Sequence, residues 1–486
     1  MPDTENEAVE TENTQEQEEE EKEHSRALFG REEILTSVDK ITKTNLLDVL
    51  HKAMGIHAFN ASQIDYLYRY MRGQQPILHR KKKVRPEICN KIVENHASEI
   101  AQFTSDYFLG EPVTYIRRGE REESAQQINL LNDYMFYEDK ATHDKDLATW
   151  MAICGVGYRM VLPSQDDEND APFRLDTPDP RTTFIVYHSG FGHRRMIGAR
   201  IIYREKEPNV FDRLICGYTH THYFEVLNGA LTVWKQHILG DIPIYEYRLN
   251  MARMGSFEPA VPLLDAINNI MSNRVDGLEQ FVQSFLKFKN CEVEDKEIAR
   301  IGKLGAIFIK STDGLDSDVD LISQELNQEQ TQTLVDYLYD QVLVICGMPT
   351  TTKGGTSTSD TGQAVFLRDG WSQCEARAKD TELLFKKSEK QFLRQVLHII
   401  QERQEFDLAL AELDCKFTRR QHDNLQNKTQ ALLAMLQAGL HPEVAIATSG
   451  LFNDPMSVAE QSKQYLKKWE YVALTGGNST DEEDEE

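Results

Sequence analysis

Residues 90–116 read NKIVENHASEIAQFTSDYFLGEPVTYI. Within them Ile92, His96, Ile100, Phe103 and Tyr107 recur every three or four positions, which predicts one continuous helix from residue 90 with these side chains on a single face. Gly110 can take the left-handed conformation that closes a helix, and Pro112 denies the next turn its N–H, so the chain must leave the helix there. Read together with the segments on either side, this helix belongs to a helical layer attached to an antiparallel sheet, an α+β domain.

Working upstream, REEILTSVDKITKTNLLDVLHKAMGIHAF and SQIDYLYRYMRG carry helical spacing and predict one or two amphipathic helices. Downstream, QQINLLNDYMFYEDK and ATHDKDLATWMAICG predict two more. The period then changes. GYRMVLP, PFRLDTPDPRTTFIVYHS, MIGARIIYRE, HTHYFEVLNG, LTVWKQHIL and IYEYRL are short, rich in β-branched and aromatic residues and divided by turn formers, as an antiparallel sheet requires.

Beyond Gly255 the pattern turns helical again. Leu264, Ile267, Met271, Val275, Leu278, Phe281 and Phe285 form an apolar stripe, and Asp265, Asn269, Ser272, Asp276, Glu279 and Gln283 a polar one. After a mixed stretch over 287–326, a helix capped by Asn327 runs to Cys346. CGMPTTTKGGTSTSDTGQ, residues 346–363, interrupts it, and helical spacing resumes from Gln363 to Gln404, about 60 Å at 1.5 Å per residue, with Gly370 its one weak point. Short helices punctuated by Gly439, Pro442 and Pro455 complete the ordered part.

The chain has 486 residues, more than one compact core accommodates, and its formal charge is −25. Residues 1–23 hold eleven acids against one lysine, and DEEDEE at 481–486 holds six more, so the two tails account for −10 and −6. Such segments bury too little to fold alone and are expected to stay disordered. The seven scattered cysteines form no CxxC pair, which predicts reduced thiols serving as small core residues in a cytosol. No apolar run approaches a membrane span, and no leader pattern is evident, so neither insertion nor secretion is expected.

Chemistry leaves little trace. Lys353 followed by two glycines suggests a phosphate loop, but GxxxxGK[ST] needs the lysine after its glycines and a strand before them; here order, spacing and context all differ. His220 and His222 alternate on an expected strand and would share a face, yet no third metal ligand is placed with them. No GxSxG or HExxH occurs, PDPR at 178–181 reads as a turn, and Asp166 with Asp167 reads as a solvated pair. Neither an enzyme nor a cofactor or metal site is expected. The single dense basic cluster, Arg80, Lys81, Lys82, Lys83 and Arg85, is either a solvated loop or a contact for DNA or a protein partner.

Residues 90–116 resemble a segment near the start of portal proteins from tailed bacteriophages, of the type found in siphophages of Gram-positive hosts, in which a Tyr-Phe-Leu-Gly-like turn leads into a Pro-Val-containing strand. The matching positions are Tyr107, Phe108, Leu109, Gly110, Pro112 and Val113. The order of elements resembles that family as well. It implies an elongated, ring-forming α+β subunit, multidomain and mainly helical: a wing at 28–256, a first stem helix at 257–286, a clip at 287–326, a second stem helix at 327–347, a tunnel loop at 348–362, a long wing helix at 363–404 and a crown at 405–472; the acidic tails, 1–27 and 473–486, lie outside the resemblance.

The resemblance further implies a homo-oligomer, twelvefold in the virion, at the capsid portal vertex and in the host cytoplasm during assembly. Double-stranded DNA would be packaged and ejected through it. Its partners would be the terminase large subunit, scaffold and major capsid proteins, and head-completion adaptors, and it would have no catalytic residue of its own. A channel must not grip its cargo, because affinity rises with every phosphate neutralised. Asp265, Asp276 and Glu279 are therefore candidates for a channel lining, unless that face is only the outside of an amphipathic helix. Thr350, Thr351, Thr352, Lys353, Gly354, Gly355, Thr356 and Ser357 would form a mobile, hydroxyl-rich inner loop, with Lys353 one light phosphate contact per subunit. A different reading is a cytosolic scaffold protein that pairs through its long helix and docks through its acidic tails; a sustained heptad seam would favour it, and the long helix lacks one.

Overall fold

The structure is a computed structural model that describes residues 30–83, 85–118, 123–164, 171–207, 210–282, 285–289, 318–322, 328–350, 370–417, 425–452, 458–459 and 461–462. The chain divides into two compact units, the first built from 1–68, 99–259 and 371–486 and the second from 69–98 and 260–370.

In the first unit, a six-stranded sheet has the order β1 (Ile34–Thr36), β5 (Thr183–His188), β6 (Arg195–Glu207), β7 (Val210–Tyr218), β8 (His222–Leu227), β9 (Ala230–Gln236). All its pairings are antiparallel except β1 with β5. Helix α1 (Leu46–Met71) contributes Leu46, Val49, Leu50 and Ala53 to a core with Phe184, Val186, Ile197, Ala199 and Phe224 from the sheet. His57 of α1 lies in the same region, 3 % exposed, its Nε2 3.1 Å from the Arg181 carbonyl and its ring 4.6 Å from that of Phe184. Burial outweighs that hydrogen bond and takes the imidazole down from 6.5 to about 4.

Because the folded value lies below the ordinary one, this histidine leaves stability intact above pH 6.5 and removes it as pH falls toward 4. The shift of two and a half units corresponds to a loss of about 3 kcal/mol. Urea titrations at pH 7 and pH 4 should show a component of that size in the wild type that is missing from His57→Phe; equal pH slopes for the two proteins would refute the assignment.

A second sheet, β10 (Ile244–Arg248), β3 (Val156–Pro163), β4 (Phe173–Asp176), is flanked by helices. Helices α3 (Glu123–Tyr137) and α4 (Lys140–Cys154) supply Leu131, Leu147 and Met151 to its core. The long helix α7 (Trp371–Arg403) supplies Phe385, Phe392, Val396 and Ile400. A two-stranded pair, β2 (Thr114–Arg117) with β13 (Leu413–Lys416), borders the same core. Since its own sheet covers the α7 stripe, that stripe is not left open as a seam for a coiled coil.

One position on the stripe is not apolar. Glu389 is 0 % exposed and accepts hydrogen bonds from Tyr115 Oη at 2.6 Å, Tyr247 Oη at 2.5 Å and Arg159 Nη1 at 3.0 Å, with Lys140 Nζ at 3.2 Å. Asp144 completes the group, 2.6 Å from Lys140 and bonded to Arg159. Two acids and two bases thus neutralise one another in the interior. Burial alone would raise the Glu389 carboxyl, but Lys140, Arg159 and the two tyrosines bring it down to about 2.

The second unit contains α5 (Val261–Val282), the antiparallel pair β11 (Phe285–Lys289) with β12 (Asp318–Ile322), and α6 (Gln328–Cys346). Helix α2 (His96–Phe108) spans the boundary between the two units' sequence segments, and α8 (Leu425–Gln437) and α9 (Pro442–Ser449) belong to the first. The fold is α+β, multidomain and mainly helical.

Several expectations need correction. Helix α2 starts at His96, and residues 90–95 are not helical. Residues 34–36 form a strand within a stretch that reads as helix. Phe285 opens β11 and does not extend the stripe of α5. Gly370, with φ +82°, stands outside α7, which begins at Trp371, and residues 363–369 of the expected helix lie outside the described residues. His220 faces Asp241 at 3.0 Å while His222 stacks on Trp234, so the two histidines have separate partners. Among the described residues no group of histidine, cysteine, aspartate and glutamate could hold a metal, and no helix is long and apolar enough to cross a membrane. The thiols of Cys154 and Cys415 are pushed up to about 12 by burial, as expected of core cysteines.

Candidate functional site

Helix α5 is the element on which sequence reasoning places its channel candidates, and its surroundings decide which of them are available. Asn268, Ser272 and Asp276 follow one another at intervals of four and are 0 %, 0 % and 3 % exposed. Opposite them runs a strap, residues 75–95. The Asn90 N–H donates to Asp276 Oδ1 at 2.7 Å, Ile92 N–H to Ser272 Oγ at 2.9 Å and Glu94 N–H to Asn268 Oδ1 at 2.8 Å.

The match is geometric. Two residues of extended chain advance about 6.6 Å and four residues of helix about 6 Å, so alternate N–H groups of the strap keep step with every fourth side chain of α5. Strap numbering rises as helix numbering falls, making the two antiparallel. The strap thereby satisfies amides that would otherwise be orphaned against a helix, each worth roughly 1 kcal/mol net and more where the acceptor is charged. This pairing outweighs helix propensity at residues 90–95.

Side chains lock the ends. Gln75 donates to Asn95 Oδ1 at 3.1 Å and accepts from Asn268 Nδ2, and Asn95 donates to the Met71 carbonyl at 2.8 Å. At the other end Asp276 takes Arg80 at 3.1 Å and Lys82 at 3.0 Å, and Arg80 also donates to the Asn90 carbonyl at 3.1 Å and to Asn273.

The basic cluster is therefore split. Arg80 and Lys82 turn inward on Asp276, Arg85 lies 3.8 Å from Glu87, and Lys81 and Lys83 are exposed, with no ion pair among the described residues. Asp276 is withdrawn from the channel candidates, since its carboxylate is buried and occupied within the chain. Asp265 is half-buried and accepts from Tyr70 Oη at 2.8 Å; Glu279 is exposed. Thr350 is 7 % exposed, and the rest of the loop, 351–357, lies outside the described residues.

Gln75, Asn95 and Asn268 escape sequence reasoning. A signal was present: a helix face facing water favours long charged side chains, whereas asparagine and serine are poor helix formers that compete for backbone groups. Asn269 of the same helix is nonetheless exposed, so that signal does not by itself single out the contact. The arrangement is a clamp that fixes a helix, the Ser272 hydroxyl, the Asn268 amide and the Asp276 carboxylate each taken up by groups of the strap.

Residues 50–469 match the family described as phage portal protein, SPP1 Gp6-like. The chain belongs to that family. The match begins within α1, spans both units of this portal chain and includes the strap and α5. No curated protein matches. Among solved structures, it is similar to a chain from the neck of an empty GTA particle computed with C6 symmetry, at 12 % identity and a TM-score of 0.45, covering 73 % of this chain and 90 % of that one.

Proposed function

We propose that this portal-family chain is the subunit of a homo-oligomeric ring, twelvefold in the virion, set at one capsid vertex, through whose channel double-stranded DNA is packaged and later ejected. The observation that carries the reading is the family match over residues 50–469. In this reading a separate terminase large subunit does the mechanical work, scaffold and major capsid proteins surround the ring, and adaptors complete the head. No catalytic group is asked of the chain itself.

The clamp on α5 suits a conduit wall, because a helix held along its length by a polar ladder resists the lateral load of passing DNA. Glu279 and Asp265 remain its acidic channel candidates. The loop 350–357 is the inner contact, with Lys353 adding one phosphate contact per subunit.

Electron microscopy of the purified full chain should show rings with a central hole; dimeric rods or dispersed monomers would overturn the ring reading. Lys353→Ala should weaken DNA retention in filled heads while rings persist, and unchanged retention would remove the lysine from the channel.

A further inference from the structure

Helix α6 presents two faces. Val335, Val342, Leu343 and Cys346 are buried, whereas Leu334, Tyr337, Val344 and Ile345 are 47 %, 59 %, 37 % and 39 % exposed. The exposed four fall at spacings of three, seven and one, a single stripe on the side away from the buried residues. Beside it stands an acidic ridge, Glu329 and Asp336, seven residues apart, with Asp336 also accepting from Gln332 Nε2 at 2.7 Å, and α6 contains no lysine or arginine. Large apolar side chains gathered on one helix face, with acids alongside, describe a docking surface whose occupant brings positive charge.

The same unit carries that charge. On the strap, inward Arg80 and Lys82 alternate with outward Lys81 and Lys83, and His79 and Leu78 are exposed beside them. The strap and α6 hold α5 from different sides. The strap binds Ser272, while Arg274 donates to Gln332 of α6 at 2.5 Å, about 200° further round the helix at 100° per residue.

The geometry points to a head-to-tail contact in which the outward row Leu78, His79, Lys81 and Lys83 of one copy docks on the acidic ridge and apolar stripe of α6 in the next. This rests on the ring reading above and specifies its interface. Two different patches that fit each other make a heterologous contact, which closes into a ring when the rotation per copy permits. A chain of net charge −25 repels its copies at a distance. An isolated basic row facing an acidic ridge supplies local attraction and fixes which face meets which.

The test is a charge swap in the full chain, read by light scattering and negative-stain imaging. Lys81→Glu with Lys83→Glu, and separately Glu329→Lys with Asp336→Lys, should each lower the ring fraction about tenfold or more, since like charges then meet across the contact. The fourfold variant, with both pairs reversed, should regain rings, which a folding defect would not allow. Rings of wild-type yield in either double variant, or no recovery in the fourfold one, would overturn the contact. Intact rings that lose only DNA would show that the lysines meet phosphate instead, and overturn it too. A wild-type chain that forms no ring at all fails the function proposed above, and is thereby distinguished from a ring that merely ignores these charges.

Discussion

Glu389→Ala should destabilise the first unit by about 3–5 kcal/mol, the cost of stripping one partner from a buried ionic group. The substitution leaves Arg159, 0 % exposed, and Lys140, 3 % exposed, with Asp144 as their one acid, and leaves Tyr115 and Tyr247 without their acceptor. These partners come from α4, β2, β3 and β10, so the loss is shared by four elements gathered round α7. Chemical denaturation of wild type and variant at pH 7 measures it.

The pH dependence supplies an independent check. The folded carboxyl lies near 2 against an ordinary 4.5, so its contribution is complete above pH 4.5 and disappears as pH falls through 2. The gap between wild type and variant should therefore close by about 3 kcal/mol across that window. A gap under 1 kcal/mol at pH 7, or one that does not narrow in acid, would show that the network contributes no net stability. Replacing Glu389 and Arg159 together by leucine and methionine should cost less than Glu389→Ala alone, because no charge is then stranded.

The network also shows where a sequence stops being legible. Glu389 falls four residues after Phe385 and three before Phe392, so a carboxylate inside an apolar stripe is visible from spacing alone. Its partners are not: Lys140 and Asp144, four apart, read as an ordinary surface pair on an exposed helix. Strands rich in β-branched and aromatic residues, β3, β5, β6 and β10 among them, announce themselves by composition. Strand β7, VFDRLICGY, does not, because its Asp212–Arg213 pair breaks the alternation while its place between β6 and β8 comes from long-range pairing. Gly370 illustrates a different gap. A glycine inside a helical pattern is either a tolerated weakness or a boundary, and the left-handed φ that decides it is a tertiary outcome. On α5 the polar stripe was legible and its meaning was not, since a wet face and a face bonded to another segment use overlapping residues.

That ambiguity is resolved by Asp276→Ala. The carboxylate accepts from the Asn90 main chain and side chain and pairs with Arg80 and Lys82. Removing it strands a covered amide and two cations, of which the cations are 15 % and 24 % exposed and can recover some hydration. The expected loss is about 2–3 kcal/mol, the range for hydrogen bonds to a charged group together with an unsatisfied donor. Hydrogen exchange locates it: the Asn90 amide should exchange faster, and Ile92 and Glu94 should follow if the ladder opens as one cooperative piece. Asp276→Asn, which keeps an acceptor for Asn90 but drops the ion pairs, should fall between wild type and alanine. Were Asp276 instead a channel group, Asp276→Ala would alter DNA passage and leave protection of residues 90–94 untouched. The two roles thus predict opposite pairs of results for a single substitution, and the buried carboxylate with its four contacts favours the clamp.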